Sequence, residues 1–346
     1  MEHEPLVSLH IVVRNGERYI RHCLDAVKRQ SYSNIDVVIL DNASTDSTAD
    51  IVAKEYPAYT LLRYPINLGM WPGHEYLLST ARGEYLCALS VDVILDANFI
   101  TTCVQALKHS PNRGAVQGKI YQYQLTELES SGTPQGLRRE IIDTCGFTLT
   151  HGRKVVNLGH GRRDDGSFAT PKTIFGVEGA VPFFRKSALE DCRIENHIWD
   201  PDFFWYGDDL DLAWRMNIFG YQHYFEPNAV GWHDRSTTKG VATVPIIGQL
   251  QRRAIRATIP LMKRRLDWSN SRFTIIKNEY IINFLRDFPV ILAREIAIFG
   301  YTILFEPRVL PELGRFLRLL PKMLRRRRQV MRRATISAAT IHDWFL

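Results

Sequence analysis

The nine residues Tyr85-Leu86-Cys87-Ala88-Leu89-Ser90-Val91-Asp92-Val93 decide the fold class of this 346-residue chain. Their first five residues form an apolar run that predicts a buried strand, and the carboxylate of Asp92 follows closely. Open α/β sheets bind their ligands at the carboxyl ends of the strands. We therefore expect Asp92 at the ligand-binding edge of a parallel sheet.

Strand and helix patterns alternate on the N-terminal side of this stretch. Strands are predicted at residues 6–13, 35–40, 60–64 and 84–89, with a helical pattern after each of the first three. Such alternation is typical of βαβ units, in which right-handed crossovers join parallel strands. The sequence therefore predicts an α/β fold, a Rossmann-like sheet with helices on both faces.

The middle of the chain is less regular. Strands are predicted at residues 114–120, 177–185 and 221–225, a polar loop at 130–139 and a helix at 207–219. That helix begins with three carboxylates, in Asp208-Asp209-Leu210-Asp211. Because a helix N-terminus favours anions, the acidic start is also compatible with a purely structural role.

Positive charge is concentrated near the C-terminus. Residues 251–333 carry 20 Lys/Arg and 6 Asp/Glu, a balance of +14, which leaves −7 for the rest of a chain whose net charge is +7. Leu310, Leu313, Phe316, Leu317, Leu320 and Leu324 recur at helical spacing among these basic residues. The pattern predicts an interfacial helix on an anionic membrane, or alternatively a basic helical tail packed on the body.

The cysteines and the N-terminus bear on the compartment. Five cysteines without metal-finger spacing predict reduced, buried thiols in the cytosol. The first residues lack the basic and apolar segments of a signal peptide. The apolar residues 281–305 are interrupted by four charged residues and a proline. We therefore expect a cytoplasmic protein, peripheral on the inner face of the cell membrane.

Three acidic positions suggest chemistry on a nucleotide sugar. The departing diphosphate of such a donor needs its charge neutralised, which Mg²⁺ or Mn²⁺ on hard oxygen ligands can do, and Asp92 is the first candidate ligand. Asp41, at the end of the second strand, can accept hydrogen bonds from a base. The pair Asp208-Asp209 offers a general base for an acceptor hydroxyl. Strand-end turns and an acidic first helical turn are the structural alternatives.

Taken in order, six stretches of the chain resemble the inverting family 2 glycosyltransferases. They are VSLHIVVRNGE (7–17), DNASTD (41–46), NLG (67–69), ARGEYL (81–86), GDDLDLAWR (207–215) and Trp232-His233. The resemblance covers roughly residues 6–236. The basic tail is more loosely similar to that of bacterial cell-surface polysaccharide enzymes of the rhamnosyltransferase type.

The resemblance implies a GT-A fold and a division of the chain. Residues 1–240 would form the glycosyltransferase domain, with a nucleotide-sugar-binding half at 1–112 and an acceptor-binding half at 113–240. Residues 241–346 would form a helical, basic, membrane-associating region.

The resemblance also implies a role for particular residues. Asp209 would be the catalytic base, and Asp92 and His233 would hold the metal. The donor would contact Val13, Asn15, Glu17, Asp41, Asn67, Ser90 and Asp92, and the acceptor would contact Gly179, Trp205 and Asp208. Two positions depart from the family pattern: Ser90 replaces the first carboxylate of its Asp-x-Asp motif, and Asp208 replaces its usual glutamate.

We therefore expect a metal-dependent inverting transferase in polysaccharide or O-antigen assembly. It would move a sugar such as L-rhamnose from a dTDP- or UDP-linked donor to a glycan or polyprenyl-linked glycan. The alternatives are UDP-galactofuranose, UDP-glucose or UDP-N-acetylhexosamine as donor, or a non-catalytic sugar-binding protein, which Ser90 prompts. Nucleic-acid binding is disfavoured because the basic residues alternate with Leu and Ile rather than with stacking aromatics. The tail could also serve as a homodimer interface.

Overall fold

The computed structural model describes residues 4–131, 137–234 and 256–346. Its strands are β1 Val7–Val13, β2 Ile35–Asn42, β3 Thr60–Tyr64, β4 Tyr85–Leu89, β5 Val93–Leu95, β6 Arg113–Gln122, β7 Ile142–Thr144, β8 Phe147–Leu149, β9 Val155–Asn157, β10 Lys172–Ile174, β11 Phe183–Arg185 and β12 Gln222–His233.

The α-helices of the body come between these strands. They are α1 Ile20–Lys28, α2 Thr48–Glu55, α3 Met70–Leu77, α4 Phe99–Lys108, α5 Leu125–Ser131, α6 Lys186–Asp191 and α7 Asp208–Ile218. From residue 261 onward the structure has α8 Leu261–Asn278, α9 Ile281–Arg286, α10 Phe288–Phe305, α11 Glu312–Arg332 and α12 Ala338–His342.

One mixed sheet organises the body, in the order β10-β12-β6-β11-β4-β1-β2-β3. Strands β4, β1, β2 and β3 are parallel neighbours, whereas β11 is antiparallel to both β4 and β6. On β1, Val7, Leu9 and Ile11 on one face and Ser8 and His10 on the other are fully buried, as expected of a central strand covered on both faces. The predicted α/β sheet and the helical C-terminal region are both confirmed, with antiparallel strands added to the parallel half.

Two predicted strands have different lengths in the structure. Of residues 177–185, only Phe183–Arg185 forms a strand. Upstream, the Glu178 carboxylate accepts a hydrogen bond from the Ala180 backbone N–H, and Pro182 has no N–H to donate to a neighbouring strand. Conversely, the strand predicted at 221–225 runs on to His233, because it pairs with β6 across a break in register at Glu226/Val230.

Another prediction, the polar loop at 130–139, is only partly correct. Helix α5 extends to Ser131, residues 132–136 lie outside the described parts of the chain, and residues 137–140 have no regular structure. The cysteine prediction is confirmed in its structural part: Cys23, Cys87, Cys103, Cys145 and Cys192 are buried, free thiols.

The basic C-terminal helices pack against carboxylates of the body. Arg326 on α11 lies 2.5 Å from Asp200, and Lys277 on α8 lies 2.6 Å from the same carboxylate and 2.8 Å from Asp211. These side chains are almost fully buried. For these residues the alternative prediction, a basic helical tail packed on the body, is therefore the correct one. Leu317 on α11 nevertheless remains 57% exposed.

Helices α9 and α10 carry the most exposed apolar surface of the C-terminal region. Ile282, Leu285, Ile296 and Leu304 are each at least 63% exposed. Among the described residues one helix, α10, is long and apolar enough to cross a membrane, and only 11% of it is buried. The predicted interruption within residues 281–305 is real at Asp287, where α9 ends and α10 begins.

Candidate active site

Two loops at the carboxyl edge of the parallel strands interlock. The loop after β1 supplies Asn15, whose side-chain oxygen accepts a hydrogen bond from the Thr45 backbone N–H at 2.8 Å, and whose own N–H donates to Ser44 Oγ at 3.0 Å. The Glu17 carboxylate in turn accepts from the Ser47 N–H at 3.1 Å. Asn15 and Glu17 are both predicted to contact the nucleotide-sugar donor. In the structure their hydrogen bonds hold the loop that follows β2 against the loop that follows β1.

A close approach beneath the first loop requires glycine. A Cβ at Gly16 would lie 2.6 Å from Val13 Cγ2, and the Gly16 N–H donates to Thr48 Oγ1 at 2.8 Å. The Val13 side chain is 1% exposed and packs in the core. Its predicted donor contact would therefore have to come from the backbone.

Polar side chains continue along the ends of β2 and β3. Asp41 is 6% exposed, and its Oδ1 accepts a hydrogen bond from the Ser44 N–H at 3.1 Å. The Asn67 side-chain oxygen accepts from Asn42 Nδ2 at 3.0 Å and from the Gly69 N–H at 2.9 Å. Asp41 and Asn67 thus lie on the predicted edge, and each also stabilises a turn there.

Asp92 and His233 come together although they are far apart in sequence. Strand β5 pairs antiparallel with β12 so that Val93 is opposite His233, and this register places Asp92 Oδ2 3.4 Å from His233 Nε2. The Ser90 hydroxyl donates to the other oxygen, Oδ1. On the far side of the ring, His233 Nδ1 donates to Asp143 Oδ2 at 2.9 Å.

The electrostatics of this cluster favour a cation. Burial alone would lower the pKa of His233, but the carboxylates of Asp92 and Asp143 raise it to about 10. Burial would likewise raise the pKa of Asp92, yet the contacts with His233 and Ser90 lower it. Without a metal, the site therefore holds its positive charge on the imidazole between two carboxylates.

The same side chains fit a divalent metal. A carboxylate oxygen and an imidazole nitrogen 3.4 Å apart can both reach one ion at bond lengths of about 2.0–2.2 Å. Asp143 holds the ring with Nε2 towards Asp92, as carboxylates behind metal-binding histidines do. Ser90 does not replace a ligand carboxylate here, but its hydroxyl fixes the orientation of Asp92.

Asp209, the candidate base, is separated from the cluster of Asp92 and His233 by the short segment Gly179-Ala180. The Ser90 N–H donates to the Ala180 carbonyl at 2.8 Å, and a Cβ at the neighbouring Gly179 would lie 3.6 Å from Asp209 Oδ2. Asp209 Oδ1 accepts a hydrogen bond from the Leu210 N–H at 2.9 Å. The structure thus brings Gly179, Asp209 and the Ser90 segment together, and Oδ2 is the Asp209 oxygen turned towards Gly179.

Asp208, the predicted acceptor contact, faces inward. Its side chain is 1% exposed, and neither carboxylate oxygen has a hydrogen-bond partner among the described residues. Burial, with the neighbouring charges of Asp209, Asp211 and Asp200, raises the pKa of Asp208 well above its usual range. The charged form of Asp208 is therefore disfavoured beside the candidate base.

The loop before α7 is held from the C-terminal region. Asn270 on α8 donates hydrogen bonds to the carbonyls of Phe203, Trp205 and Tyr206 at 2.8–3.0 Å. The loop backbone is strained at Phe204 and Tyr206, which both have positive φ, whereas the positive φ of Gly207 suits glycine. Trp205, a predicted acceptor contact, is half-buried, and Lys263 Nζ lies 5.5 Å from the centre of its ring.

Three residues of the site were missed in the sequence. Asp143 lies in the short strand β7, Asn270 and Lys277 lie on α8, and none belongs to a recognised motif. Asp143 is 90 residues from His233, and only the pairing of β7 and β12 with β6 makes them neighbours. No local signal in the sequence marks these positions.

Comparison with known families identifies the body of the chain. The family model described as Glycosyl transferase family 2 matches residues 8–192, which is more than half of the chain. Poly-beta-1,6-N-acetyl-D-glucosamine synthase of Staphylococcus epidermidis is 21% identical over 310 residues, covering 88% of this chain and 62% of the synthase. The Staphylococcus aureus synthase (strain COL) is 22% identical over 228 residues, covering 65% of this chain and 49% of the synthase. The chain thus spans about half to three-fifths of the length of these curated relatives.

Solved structures agree on the fold. The mannosyltransferase PcManGT from Pyrobaculum calidifontis, in complex with GDP-Man and Mn²⁺, aligns with TM-score 0.50 and 18% identity, over 93% of this chain and 76% of its own. GalNAc-T7 with UDP, GalNAc and Mn²⁺ aligns with TM-score 0.52 and 14% identity, over 73% and 48%. At this identity the likeness shows the fold alone, which is the GT-A fold.

Proposed function

The chain belongs to glycosyl transferase family 2, and we propose that it is an inverting, divalent-metal-dependent member of that family. As a glycosyltransferase it moves a sugar from a nucleotide-sugar donor. We propose as acceptor a hydroxyl of a glycan or polyprenyl-linked glycan used in cell-surface polysaccharide assembly. The non-catalytic sugar-binding alternative loses its support with the family assignment.

The pairing of Asp92 with His233 is the observation that carries the metal dependence. Their ligand atoms lie 3.4 Å apart at the end of β4, and Asp143 and Ser90 orient them. A bound Mg²⁺ or Mn²⁺ would neutralise the charge that develops on the departing diphosphate. Ser90 and Asp143 would keep both ligands in place while the donor binds and leaves.

Asp209 is the proposed general base. Its Oδ2 faces Gly179, which lies beside the segment that leads through Ala180 to Ser90. An acceptor hydroxyl bound there would give its proton to Oδ2 as it attacks the anomeric carbon from the face opposite the nucleotide. Asp208 lies buried beside it, and its charged form, which would be a second negative charge near the attacking oxygen, is disfavoured there.

The donor side is proposed to lie along the interlocked strand ends. Asp41 would accept hydrogen bonds from the base, while Asn15, Glu17, Asn67 and the Val13 backbone would form the walls of the pocket. All of these lie at the carboxyl ends of β1, β2 and β3, the edge at which open α/β sheets bind ligands.

Two donor classes remain to be distinguished. The resemblance of the tail to rhamnosyltransferase-type enzymes supports a dTDP-linked donor such as dTDP-rhamnose. The similarity to poly-beta-1,6-N-acetyl-D-glucosamine synthases supports a UDP-linked N-acetylhexosamine instead. UDP-glucose and UDP-galactofuranose complete the set.

Nucleotide release from these donors tests the proposal. Each donor is incubated with the full chain, with Mg²⁺, with Mn²⁺ or with a chelator, and free UDP or dTDP is measured. We expect release from one donor class, only with metal, and none from the Asp92→Asn variant. Release that is equally fast with the chelator would contradict the metal dependence, and a donor preference for dTDP or UDP would decide the class.

We also propose the predicted division of the chain, with a glycosyltransferase domain at 1–240, its halves meeting at 112/113, and a C-terminal region at 241–346. Strand β6 begins at Arg113, after the parallel quartet, the short strand β5 and helix α4, and β12 ends at His233. The boundary at 240/241 lies outside the described residues.

Membrane contact is proposed for α9 and α10 rather than for α11 alone. The two helices expose Ile282, Leu285, Ile296 and Leu304, and α10 is about 27 Å long at 1.5 Å per residue. Its charged pair Arg294-Glu295 does not face lipid, because Glu295 lies 2.7 Å from Arg272 on α8. We therefore propose that α10 lies on the cytoplasmic membrane face with its apolar side in the lipid, and does not span it.

Flotation with lipid vesicles tests this contact. Wild type should float with vesicles that contain phosphatidylglycerol, and the double variant Ile282→Asp/Leu285→Asp should not. The matched variant Leu317→Asp, on α11, should still float. Loss of flotation in Leu317→Asp alone would assign the membrane contact to α11. A wild-type protein that forms dimers and does not bind the vesicles would favour the homodimer interface instead.

A further inference from the structure

We propose a second metal site, formed by His151, Asp287 and His342 and suited to Zn²⁺. The three residues come from the turn between β8 and β9, the junction of α9 with α10, and the end of α12. One ligand atom from each lies within 4.8 Å of the others. The site has no residue in common with the Asp92 cluster and does not depend on the proposed function.

One distance in this set, from His151 Nδ1 to Asp287 Oδ1, matches that of a tetrahedral site, whereas His342 Nε2 is held by a hydrogen bond to the other carboxylate oxygen. His151 Nδ1 lies 3.3 Å from Asp287 Oδ1, and His342 Nε2 lies 2.9 Å from Asp287 Oδ2. Tetrahedral ligands with bonds of about 2.0–2.1 Å lie about 3.3 Å from one another. Two imidazoles with one carboxylate favour Zn²⁺ over Mg²⁺, which prefers oxygen ligands.

The surroundings leave room for an ion on one side. His342 and Asp287 are 5% and 10% exposed in their side chains, and His151 is 42% exposed although its Nδ1 atom is buried, so a fourth ligand would have to enter past the exposed edge of the His151 ring. His151 Nδ1 makes no hydrogen bond in the described structure despite its nearness to Asp287. A ring nitrogen turned towards a carboxylate without a hydrogen bond is available to a metal.

Arg153 lies beside the proposed site but contacts Asp287 through Oδ2, not through the oxygen that faces the ion. Arg153 Nη1 lies 2.6 Å from Asp287 Oδ2, and its Nε donates to Glu279, so that one cation is shared by two carboxylates. Asp287 Oδ1, on the side of His151, remains directed at the proposed ion. Arg153 thus orients the ligand carboxylate from behind, as supporting groups do in metal sites.

Such an ion would fasten the C-terminus to the body. The segment after α12 already pairs with β8 through Leu346 N–H to Leu149 O at 2.8 Å, and the His151 N–H donates to Leu346 O at 2.8 Å. A metal held by His151 and His342 would add a cross-link between the same two segments. We expect the bound ion to raise the melting temperature, because it binds only the folded state.

Zinc binding by the full chain tests the proposal in an Asp92→Asn background, which removes the other metal site. After dialysis against Zn²⁺ and then buffer, we expect one zinc per chain by elemental analysis, a tetrahedral cobalt spectrum on Co²⁺ substitution, and a raised melting temperature. His151→Ala, whose side chain is half-exposed, should fold but lose all three signals, and His342→Gln should do the same. The exposed His109→Ala is the control and should keep them.

The outcomes that would overturn the site are equally plain. An Asp92→Asn protein that retains no zinc would contradict it, as would zinc retained in His151→Ala at the same stoichiometry. An octahedral cobalt spectrum would contradict the proposed ligand set. Folding of each variant is confirmed by far-ultraviolet circular dichroism before metal is added.

Discussion

The proposed donor side, at the ends of β1, β2 and β3, and the proposed base side, around α7, are built in different ways. On the donor side, loops at the ends of adjacent strands bind one another, as Asn15 does with Ser44 and Thr45, some 30 residues apart. On the base side, α7 is held by helices from the far end of the chain. Lys277 binds Asp211 across 66 residues, and Arg326 binds Asp200 across 126.

The two kinds of interaction differ in how much stability is lost when one of them is removed. The donor loops use partly exposed, mostly neutral hydrogen bonds, each contributing about 1 kcal/mol. The base side uses buried ions, and removing one partner leaves the other charged and unpaired in the interior. Substitutions on the donor side should therefore disturb only the local loops, whereas substitutions of the buried ions on the base side should lower the stability of the whole fold.

The largest effect is expected from Asp209→Asn. It removes the proposed proton acceptor while keeping the shape of the side chain, so sugar transfer should fall by about 10²–10⁴-fold. Metal-dependent nucleotide binding should persist, because the donor-side loops are untouched. Steady-state transfer and calorimetric nucleotide binding are measured on the same preparation. Transfer at the wild-type rate would show that another group is the base.

Lys277→Met should cost the most stability. Lys277 is 1% exposed and bridges Asp200 and Asp211, so its loss leaves two buried carboxylates short of a partner. We expect the free energy of unfolding to fall by about 3–5 kcal/mol, measured by urea denaturation. The exposed Lys54→Met is the control and should change it by less than about 0.5 kcal/mol. A Lys277 variant as stable as this control would contradict the base-side half of the comparison.

Asp143→Asn should weaken the metal without unfolding the protein. The amide can no longer accept the His233 Nδ1 proton as a carboxylate does, so Mn²⁺ affinity should fall by about 10–100-fold. Titration of Mn²⁺ followed by electron paramagnetic resonance measures this, with the exposed Asp165→Asn as control. Unchanged Mn²⁺ affinity would mean that Asp143 has no part in orienting the ligand.

A smaller, pH-dependent effect is expected at His74 on α3, whose buried ring lies 5.4 Å from that of Trp71. Burial lowers the pKa of His74 to about 3, so the folded protein keeps it neutral while the unfolded chain takes up a proton below pH 6.5. Its contribution to stability is thus lost as the pH falls from 6.5 towards 3, at about 1.4 kcal/mol per pH unit. Between pH 7.5 and 5, His74→Leu should lose about 2 kcal/mol less than wild type in urea denaturation. An identical pH dependence in both proteins, with His109→Leu as control, would show that His74 is not buried as neutral imidazole.

The donor side could largely be predicted from the sequence. A polar residue directly after a buried strand must lie at the sheet edge, so Asp41 and Asp92 needed only the strand pattern. The resemblance implied that His233 joins Asp92 at a metal, but the register of β5 on β12 that brings the two together is seen only in the structure. Asp143 escaped detection because its partner is fixed by the same pairing.

The base side was harder because basic helices look alike in sequence whatever they face. The alternation of Leu and Arg in α11 predicted a lipid surface, yet Arg326 is buried against Asp200 and Asp202. Helical periodicity reports which residues share a face, but not whether that face meets lipid or carboxylates. Only the tertiary packing distinguishes the two.

Calorimetric titration of UDP and dTDP in the presence of Mn²⁺ tests most directly whether metal and base are separate parts of one transferase site. Wild type and Asp209→Asn should bind the same nucleotide with similar affinity, and only with metal, whereas Asp92→Asn should lose that binding. Metal-dependent binding that is intact in Asp92→Asn would contradict the assignment of the metal to Asp92 and His233, and with it the proposed mechanism.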